Sequence, residues 1–248
     1  MHTRVDIVFC IDTVRNDLVE IASEIEREIA KYENIANRFN PESELSYVNE
    51  NAFGKAIAIS PELCEILADC RQYNSETFGY FDITVNSQNG CKENTNAFII
   101  QPESNTIEFF RAGIVLDLSG FIKGYTLGKV VQIIKNKDIE NALINIGNSS
   151  VYAKGNHPHG TGWKIRIPAT GLECTLLNEC LTTSGNDEAT KYPIINPKNG
   201  KIERVKQAVS VITKSPAVGE VLSKVAFLAS EFELNRILKK FDGEIIKS

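Results

Sequence analysis

Residues 142–154 read Ala142-Leu143-Ile144-Asn145-Ile146-Gly147-Asn148-Ser149-Ser150-Val151-Tyr152-Ala153-Lys154. Two short apolar runs, Ala142–Ile146 and Val151–Lys154, flank a Gly-Asn pair, residue types that accept the left-handed backbone of a tight turn at low cost. The stretch therefore predicts two strands joined by a hairpin, which makes them antiparallel. Working outward, Ala97–Ile100 and Thr106–Phe110 flank the turn Pro102-Glu103-Ser104-Asn105 in the same way. Further short strands are expected at Lys55–Ile59, Trp163–Ile167, Thr175–Leu177 and Gln207–Ile212. Near the start, Val5, Ile7, Phe9 and Ile11 alternate as a half-buried strand does.

Between these runs the period changes. Leu18, Ile21, Ala22, Ile25, Ile29, Tyr32 and Ala36 fall on one helical face, so Asn16–Ala36 predicts a long amphipathic helix. Asn37–Asn49 reads as a polar loop. Ser60-Pro61-Glu62 is a helix start, with a hydroxyl cap, a proline in the first turn and an acid at the positive end of the dipole. Ile114–Leu118 is an apolar run that leads through Ser119-Gly120 into a helix over Phe121–Lys135. Ala217–Ala229 and Glu231–Phe241 read as two last helices. The strands are too many, too short and too often hairpin-linked for a β-α-β alternation. The expected class is α+β, a mainly antiparallel sheet with flanking helices, over one domain spanning 1–248 in one or two lobes.

Composition sets limits on partners. The 248 residues carry 27 Lys and Arg against 32 Asp and Glu, a net charge of −5, which provides no electrostatic reason to bind nucleic acid. No apolar stretch approaches the ~20 residues of a membrane-spanning helix. With Met1 as the native start the expected location is the cytoplasm; with a leader removed, export. The six cysteines form no Cys-x-x-Cys pair, which favours buried thiols in a reducing compartment over a zinc site. His157-Pro158-His159 lies in a polar loop.

Four glycine- and hydroxyl-rich segments carry the chemistry. In Leu116–Tyr125 a run ends at Ser119-Gly120 and a helix opens with Lys123 in its first turn; helix-start N–H groups and a lysine suit a phosphate, although the segment is neither a Walker A loop nor a Gly-x-Gly-x-x-Gly fingerprint. The others are the turn after Ile146, the hydroxyl run Thr182-Thr183-Ser184-Gly185, and the turn Asn196-Pro197-Lys198-Asn199-Gly200. Each alone reads as an ordinary turn; order and spacing make them specific.

The whole chain resembles the FAD:protein FMN transferase (ApbE) family. The residues that carry the resemblance are Arg38-Phe39-Asn40-Pro41-Glu42-Ser43, Phe81-Asp82-Ile83-Thr84-Val85, Asp117 to Tyr125, Ala142–Gly147, Trp163, Thr183-Ser184-Gly185 and Pro197 to Gly200. The resemblance implies a reaction on FAD in which FMN passes through its phosphate to a Ser or Thr hydroxyl of an acceptor flavoprotein and AMP leaves, with Mg²⁺ assisting. It implies flavin contacts at Ser43, Asp82, Thr84, Ser119, Lys123, Gly147, Thr183, Ser184, Gly185 and Asn196. The segments 38–46, 81–85, 119–123, 183–185 and the Asn196 turn are expected to converge on one cleft.

Departures from the family pattern fall at reactive positions. Pro193 stands where the family carries a histidine, and a proline side chain cannot move a proton. Asn196 replaces an aspartate. The family's metal positions correspond to Glu220 and Ile122, but Lys224, one helical turn after Glu220, replaces a threonine and brings a positive charge. Gly128, Asn148-Ser149 and Ser119 replace family residues, and Asn86–Asn96 is shortened. Three functions remain open at this point: flavin transfer, a catalytically impaired homologue that binds a flavin, nucleotide or protein, and hydrolysis of the FAD pyrophosphate.

Overall fold

Helix α1 (Leu18–Ala36) begins where strand β1 (Val5–Cys10) has ended its alternation, and its apolar face buries Ile21 and Ile25 almost completely. The computed structural model describes residues 3–11, 15–87, 96–167, 170–185, 194–203 and 208–247. The chain divides into two units: Met1–Lys31 with Phe121–Ala189 and Val205–Ser248, and Tyr32–Gly120 with Thr190–Arg204.

The first unit is built on a six-stranded sheet in the order β1-β5-β6-β9-β10-β11, with β5 Asn141–Ile146, β6 Ser150–Lys154, β9 Glu179–Gly185, β10 Ala208–Thr213 and β11 Glu244–Lys247. Every pairing in it is antiparallel. Because side chains alternate across a strand, the sheet has two separate cores. Ile144, Ile146, Tyr152 and Cys180 pack with Ile21 and Ile25 of α1 and with Leu127, Val130 and Ile134 of α4 (Ile122–Asn136). Ala153 and Leu181, on the opposite face, pack against Trp163, Ile167 and Leu176 around the hairpin of β7 (Trp163–Arg166) and β8 (Glu173–Leu176). Trp163 donates its indole N–H to the Lys154 carbonyl at 3.1 Å. Helix α5 (Pro216–Leu228) is capped by Ser215 and followed by α6 (Glu231–Leu238), capped by Ser230.

Two glycines set how close α5 comes. A Cβ on Gly219 would fall 2.5 Å from Thr182 Oγ1 of β9, and one on Gly124 of α4 would fall 2.5 Å from Glu220 Cγ and against the Pro216 carbonyl. Helix α5 therefore touches both β9 and α4 through positions that have room for hydrogen only.

The second unit holds α2 (Glu44–Asn51), α3 (Pro61–Glu76) and a three-stranded sheet in the order β2-β4-β3, with β2 Ile57–Ala58, β3 Phe98–Gln101 and β4 Thr106–Phe109. Leu45, Val48, Leu63, Ile66, Leu67, Phe98, Ile107 and Phe109 form its buried interior. Phe98 and Phe109 meet edge to face at 6.2 Å, which contributes specificity beyond area burial.

The α+β class and the antiparallel sheet are as expected. Three local readings change. The polar loop Asn37–Asn49 contains the start of α2, because Ser43 caps it and only Leu45, Ser46 and Val48 are buried along it. The hydroxyl run at 182–185 is part of a strand inside the sheet, β9, rather than a turn. Strand β11 was not anticipated. Of the cysteines, Cys64, Cys70 and Cys180 are buried and Cys10 and Cys174 half-buried, all as free thiols; burial pushes Cys180 up to about 12. Cys91 lies outside the described residues.

The two α4 glycines separate cleanly. Gly124→Ala forces α4 and α5 apart and should lower unfolding free energy by about 1–3 kcal/mol. Gly128, whose added Cβ meets nothing within 4 Å, should gain about 0.5–1 kcal/mol on Gly128→Ala through helix propensity. Urea titrations of the two variants beside the parent check both signs.

Candidate functional site

The turn between β5 and β6 puts Gly147 and Asn148 in left-handed backbone, at φ 63° and 56°. Asn145 Nδ2 donates to Asn148 Oδ1 at 2.8 Å, and the Asn148 N–H donates to Asn145 Oδ1 at 3.0 Å, so the turn is fixed by its own side chains. This positions Ser149, whose hydroxyl accepts from Lys123 Nζ. Lys123 stands in the first turn of α4, a helix whose cap residue Phe121 supplies no side-chain hydrogen bond and whose first turn has no acid. The α4 start thus has no acid and no side-chain cap of its own and carries a lysine in its first turn.

Next along β6, Ser150 is fully buried and points to the helix side, donating to Glu220 Oε1 at 2.7 Å. Lys224, one turn on, donates to Glu220 Oε2 at 2.7 Å and to the Glu220 carbonyl at 3.2 Å. The Glu220 side chain is 3% exposed and that of Lys224 21%. Ser223 donates to the Glu220 carbonyl at 3.1 Å and lies 2.8 Å from Ser184 of β9, hydroxyl to hydroxyl. Burial pushes the Glu220 carboxyl up, but the charges of Lys224 and Lys123 and the hydrogen bonds from Lys224 and Ser150 outweigh it and hold the group below its ordinary value. Burial also lowers Lys224, with Glu220 opposing the shift.

Lys123, Ser149, Ser150, Ser184, Ser223, Glu220 and Lys224 thus form one polar cluster in the first unit. Thr183 does not join it on the same face. Strand alternation turns its hydroxyl to the other side, where it meets Ser210 at 2.7 Å, while its N–H donates to the Ser149 carbonyl at 2.8 Å. There Thr183 lines a pocket of about 230 Å³ with Asn145, Asn148, Ser149, Val151 and Arg166. Gly185 closes β9 opposite Ala208.

In the second unit, Asp117 organises the segment before α4. Arg38 Nε lies 2.8 Å from Asp117 Oδ2, Asn86 donates to the same oxygen at 2.7 Å, and the Ser119 N–H donates to Oδ1 at 2.8 Å. Asn49 brackets Leu116 with two hydrogen bonds, and Ser87 accepts from the Val115 N–H, so side chains rather than a strand ladder hold Ile114–Leu118. Asp82 Oδ1 accepts from both the N–H and the hydroxyl of Thr84, at 2.7 and 2.6 Å. Burial pushes the Asp82 carboxyl up, with the Thr84 hydrogen bonds and the charge of Lys198 pulling it partly back. Asn196 builds its own turn, its Oδ1 accepting from the Lys198 N–H at 3.0 Å, and Lys198 in turn donates to the Phe78 carbonyl. Ser43 is committed as the α2 cap, its Oγ accepting from the Ser46 N–H at 3.1 Å. A larger groove of about 440 Å³ between α3 and β3 contains none of these residues.

The expected metal does not fit. Both Glu220 oxygens are engaged, position 224 brings an ammonium where a donor oxygen is needed, and Ile122 has a buried hydrocarbon side chain. Among the described residues no group of three or more His, Cys, Asp or Glu side chains gathers to hold an ion. Pro193 lies outside the described residues. Sequence reading noted Ser149 only as a departure from the family pattern and gave Ser150 and Ser223 no role; theirs become visible only once β6 and α5 face each other.

The fold and the cluster define a class: an antiparallel α+β protein that gathers two lysines, a buried glutamate and serine hydroxyls beside a helix start with no side-chain cap. The chain belongs to the ApbE family, whose model matches residues 1–246. It is 25% identical over 190 residues to the FAD:protein FMN transferase of Chlamydia muridarum, a match covering 68% of this chain and 60% of that protein. It is 25% identical over 237 residues to that of Chlamydia pneumoniae, covering 83% and 75%. A solved flavin transferase ApbE from Vibrio cholerae, an H257G mutant, superposes with a TM-score of 0.84 over 100% of this chain and 90% of that one, at 19% identity. No helix among the described residues is long and apolar enough to cross a membrane.

The Glu220 cluster makes acid stability informative. With its folded value lowered, ionised Glu220 contributes stability that is complete above the unfolded carboxylate value and is lost as pH falls toward the folded one. Glu220→Gln should cost about 3–5 kcal/mol at neutral pH, because it leaves Lys224 unpaired. The gap to the parent protein should narrow below the ordinary carboxylate range, read by denaturant titrations across pH.

Proposed function

We propose that this chain binds FAD and transfers its FMN moiety to a hydroxyl of an acceptor protein. In that step the acceptor oxygen bonds to the FMN phosphorus, the pyrophosphate P–O bond breaks, AMP leaves with the bridging oxygen, and the hydroxyl proton is released. The observation that carries the reading is the pairing of Lys123 at the side-chain-uncapped start of α4 with Ser149 of the β5–β6 turn, in a chain that matches the family over residues 1–246. The reaction is the one for which the chlamydial relatives are named.

On this reading the residues divide the work between binding and orientation. Lys123 and the α4 N–H groups take negative charge on a phosphate. Ser149 and Ser150 hold Lys123 and Glu220 in place, and Ser184 with Ser223 offers hydroxyls at the sheet end of α5. Asp82 is a half-buried carboxyl held by Thr84, and its raised value suits a group that accepts a hydrogen bond from a flavin or a proton from a hydroxyl. No step is routed through a metal, because the donor set does not fit one.

A second reading, binding without transfer, is favoured by one feature, Lys224 paired to Glu220 where the resemblance implies a metal ligand. One incubation separates the readings. With FAD and an acceptor flavoprotein domain, transfer yields AMP and a covalent flavin on the acceptor in equal amounts. AMP and free FMN without an adduct identify a hydrolase. Bound FAD with neither product identifies a binding protein and sinks the transfer reading. Lys123→Ala should weaken FAD binding by roughly tenfold, the worth of one charge-assisted contact.

A further inference from the structure

Three features of the first unit point the same way. Glu220 is buried and carries a charge that its neighbours stabilise. Lys224 answers it from one turn away at 2.7 Å, with a side chain 21% exposed against 3% for Glu220. Two of its three hydrogens are directed to Glu220, at 2.7 and 3.2 Å, and an ammonium has three. Lys123, close enough to lower both groups' values by its charge, adds a second ammonium, with one contact to Ser149. A carboxylate buried between two lysines leaves the corner with a net positive charge.

We propose that Lys224 is the resident cation of this site: with Lys123 it supplies the positive charge against the ligand's phosphates, so the protein binds its phosphate-bearing ligand without a divalent ion. The proposal rests on the flavin-transfer reading only for the identity of that ligand. Glu220 acts as a positioning residue. It fixes the Lys224 ammonium in one place, and Ser150 fixes Glu220 from β6. A divalent ion brought to Glu220 would have to displace the Ser150 and Lys224 contacts and then sit beside an ammonium, an arrangement opposed by like charge at short range. Gly124 and Gly219 make the arrangement compact, since α4 and α5 meet where Lys123 and Glu220 leave their helices.

The experiment is a calorimetric titration of the whole chain with FAD and, separately, with inorganic pyrophosphate, each in EDTA and in excess Mg²⁺. Mn²⁺ binding to the ligand-free protein is followed by electron paramagnetic resonance. The expected result is affinity for both ligands unchanged within twofold between EDTA and Mg²⁺, with no Mn²⁺ bound. Lys224→Thr should weaken binding in EDTA by tenfold or more, and Lys224→Arg should retain it. Pyrophosphate binding in EDTA without FAD binding keeps this proposal and overturns the flavin reading. Binding of either ligand only in Mg²⁺ overturns this proposal and leaves the flavin reading standing where FAD binds. Mn²⁺ bound tightly by the parent protein and lost in Glu220→Gln overturns it as well, as does failure of both ligands to bind in either condition. The parent-protein arms need no variant, so a Lys224→Thr protein that fails to fold leaves the test intact.

Discussion

Helix α5 lies against β9 and α4 at a separation that only glycine permits, and the chemistry of the first unit follows from that approach. At Gly219 the backbone of α5 comes so near Thr182 that a methyl group would overlap its hydroxyl, and at Gly124 the same holds against Pro216 and Glu220. Because α5 cannot be moved outward without opening the core around Val221, Leu222 and Val225, the next residue, Glu220, is carried into the interior. A carboxylate taken out of water needs partners at once. Ser150 from β6 and Lys224 from the following turn supply them. Packing thus comes first, and the polar cluster is its electrostatic consequence.

The cluster is also a choice of charge. A buried ion pair contributes little net stability compared with a hydrophobic pair of the same shape, since desolvation offsets most of the attraction. Stability alone therefore does not account for the Glu220–Lys224 pair, and the charge it places in the cluster is what the proposed ligand binding draws on. Of the two side chains, that of Lys224 is the more exposed. In the second unit Asp117 plays a different part. It gathers Arg38, Asn86 and the nearby Ser119 N–H, and so ties two sequence-distant segments to its own.

Much of this architecture was legible from local pattern. The start of α3 has Ser and Pro in the expected order, the hairpin β3–β4 has its turn at Pro102–Asn105, and α1 shows a continuous apolar face. What escaped has a common cause. Helix α2 is eight residues long with few apolar positions, so its signal lies in the Ser43 cap and not in periodicity. Strand β9 ends in Thr, Thr, Ser and Gly, a composition that reads as a turn until β6 and β10 are known to flank it. The site behaves likewise. Lys123 and Glu220 could be named from motif order, but Ser150 and Ser223 owe their roles to a strand and a helix 70 residues apart in sequence meeting face to face. Which of Thr183 and Ser184 faces α5 depends on register, and a shift of one residue would exchange them.

A lysine and a divalent ion are not equivalent partners for a phosphate. The ion is a Lewis acid that draws charge from the oxygens it binds and lowers the barrier to displacement, whereas an ammonium is a fixed monovalent charge that donates hydrogen bonds. Substituting one for the other conserves ground-state attraction better than transition-state stabilisation, and only the second raises the rate of the chemical step. The α4 start offsets part of the difference, because its N–H groups are oriented before any ligand arrives and so need no rearrangement when charge develops. On the proposed reading, the corner's lysines act first on the binding of a pyrophosphate and the α4 N–H groups on its cleavage. The same reasoning explains why Lys123 and Lys224 both bracket Glu220. Two ammoniums that close would repel each other, and the buried carboxylate between them offsets that repulsion.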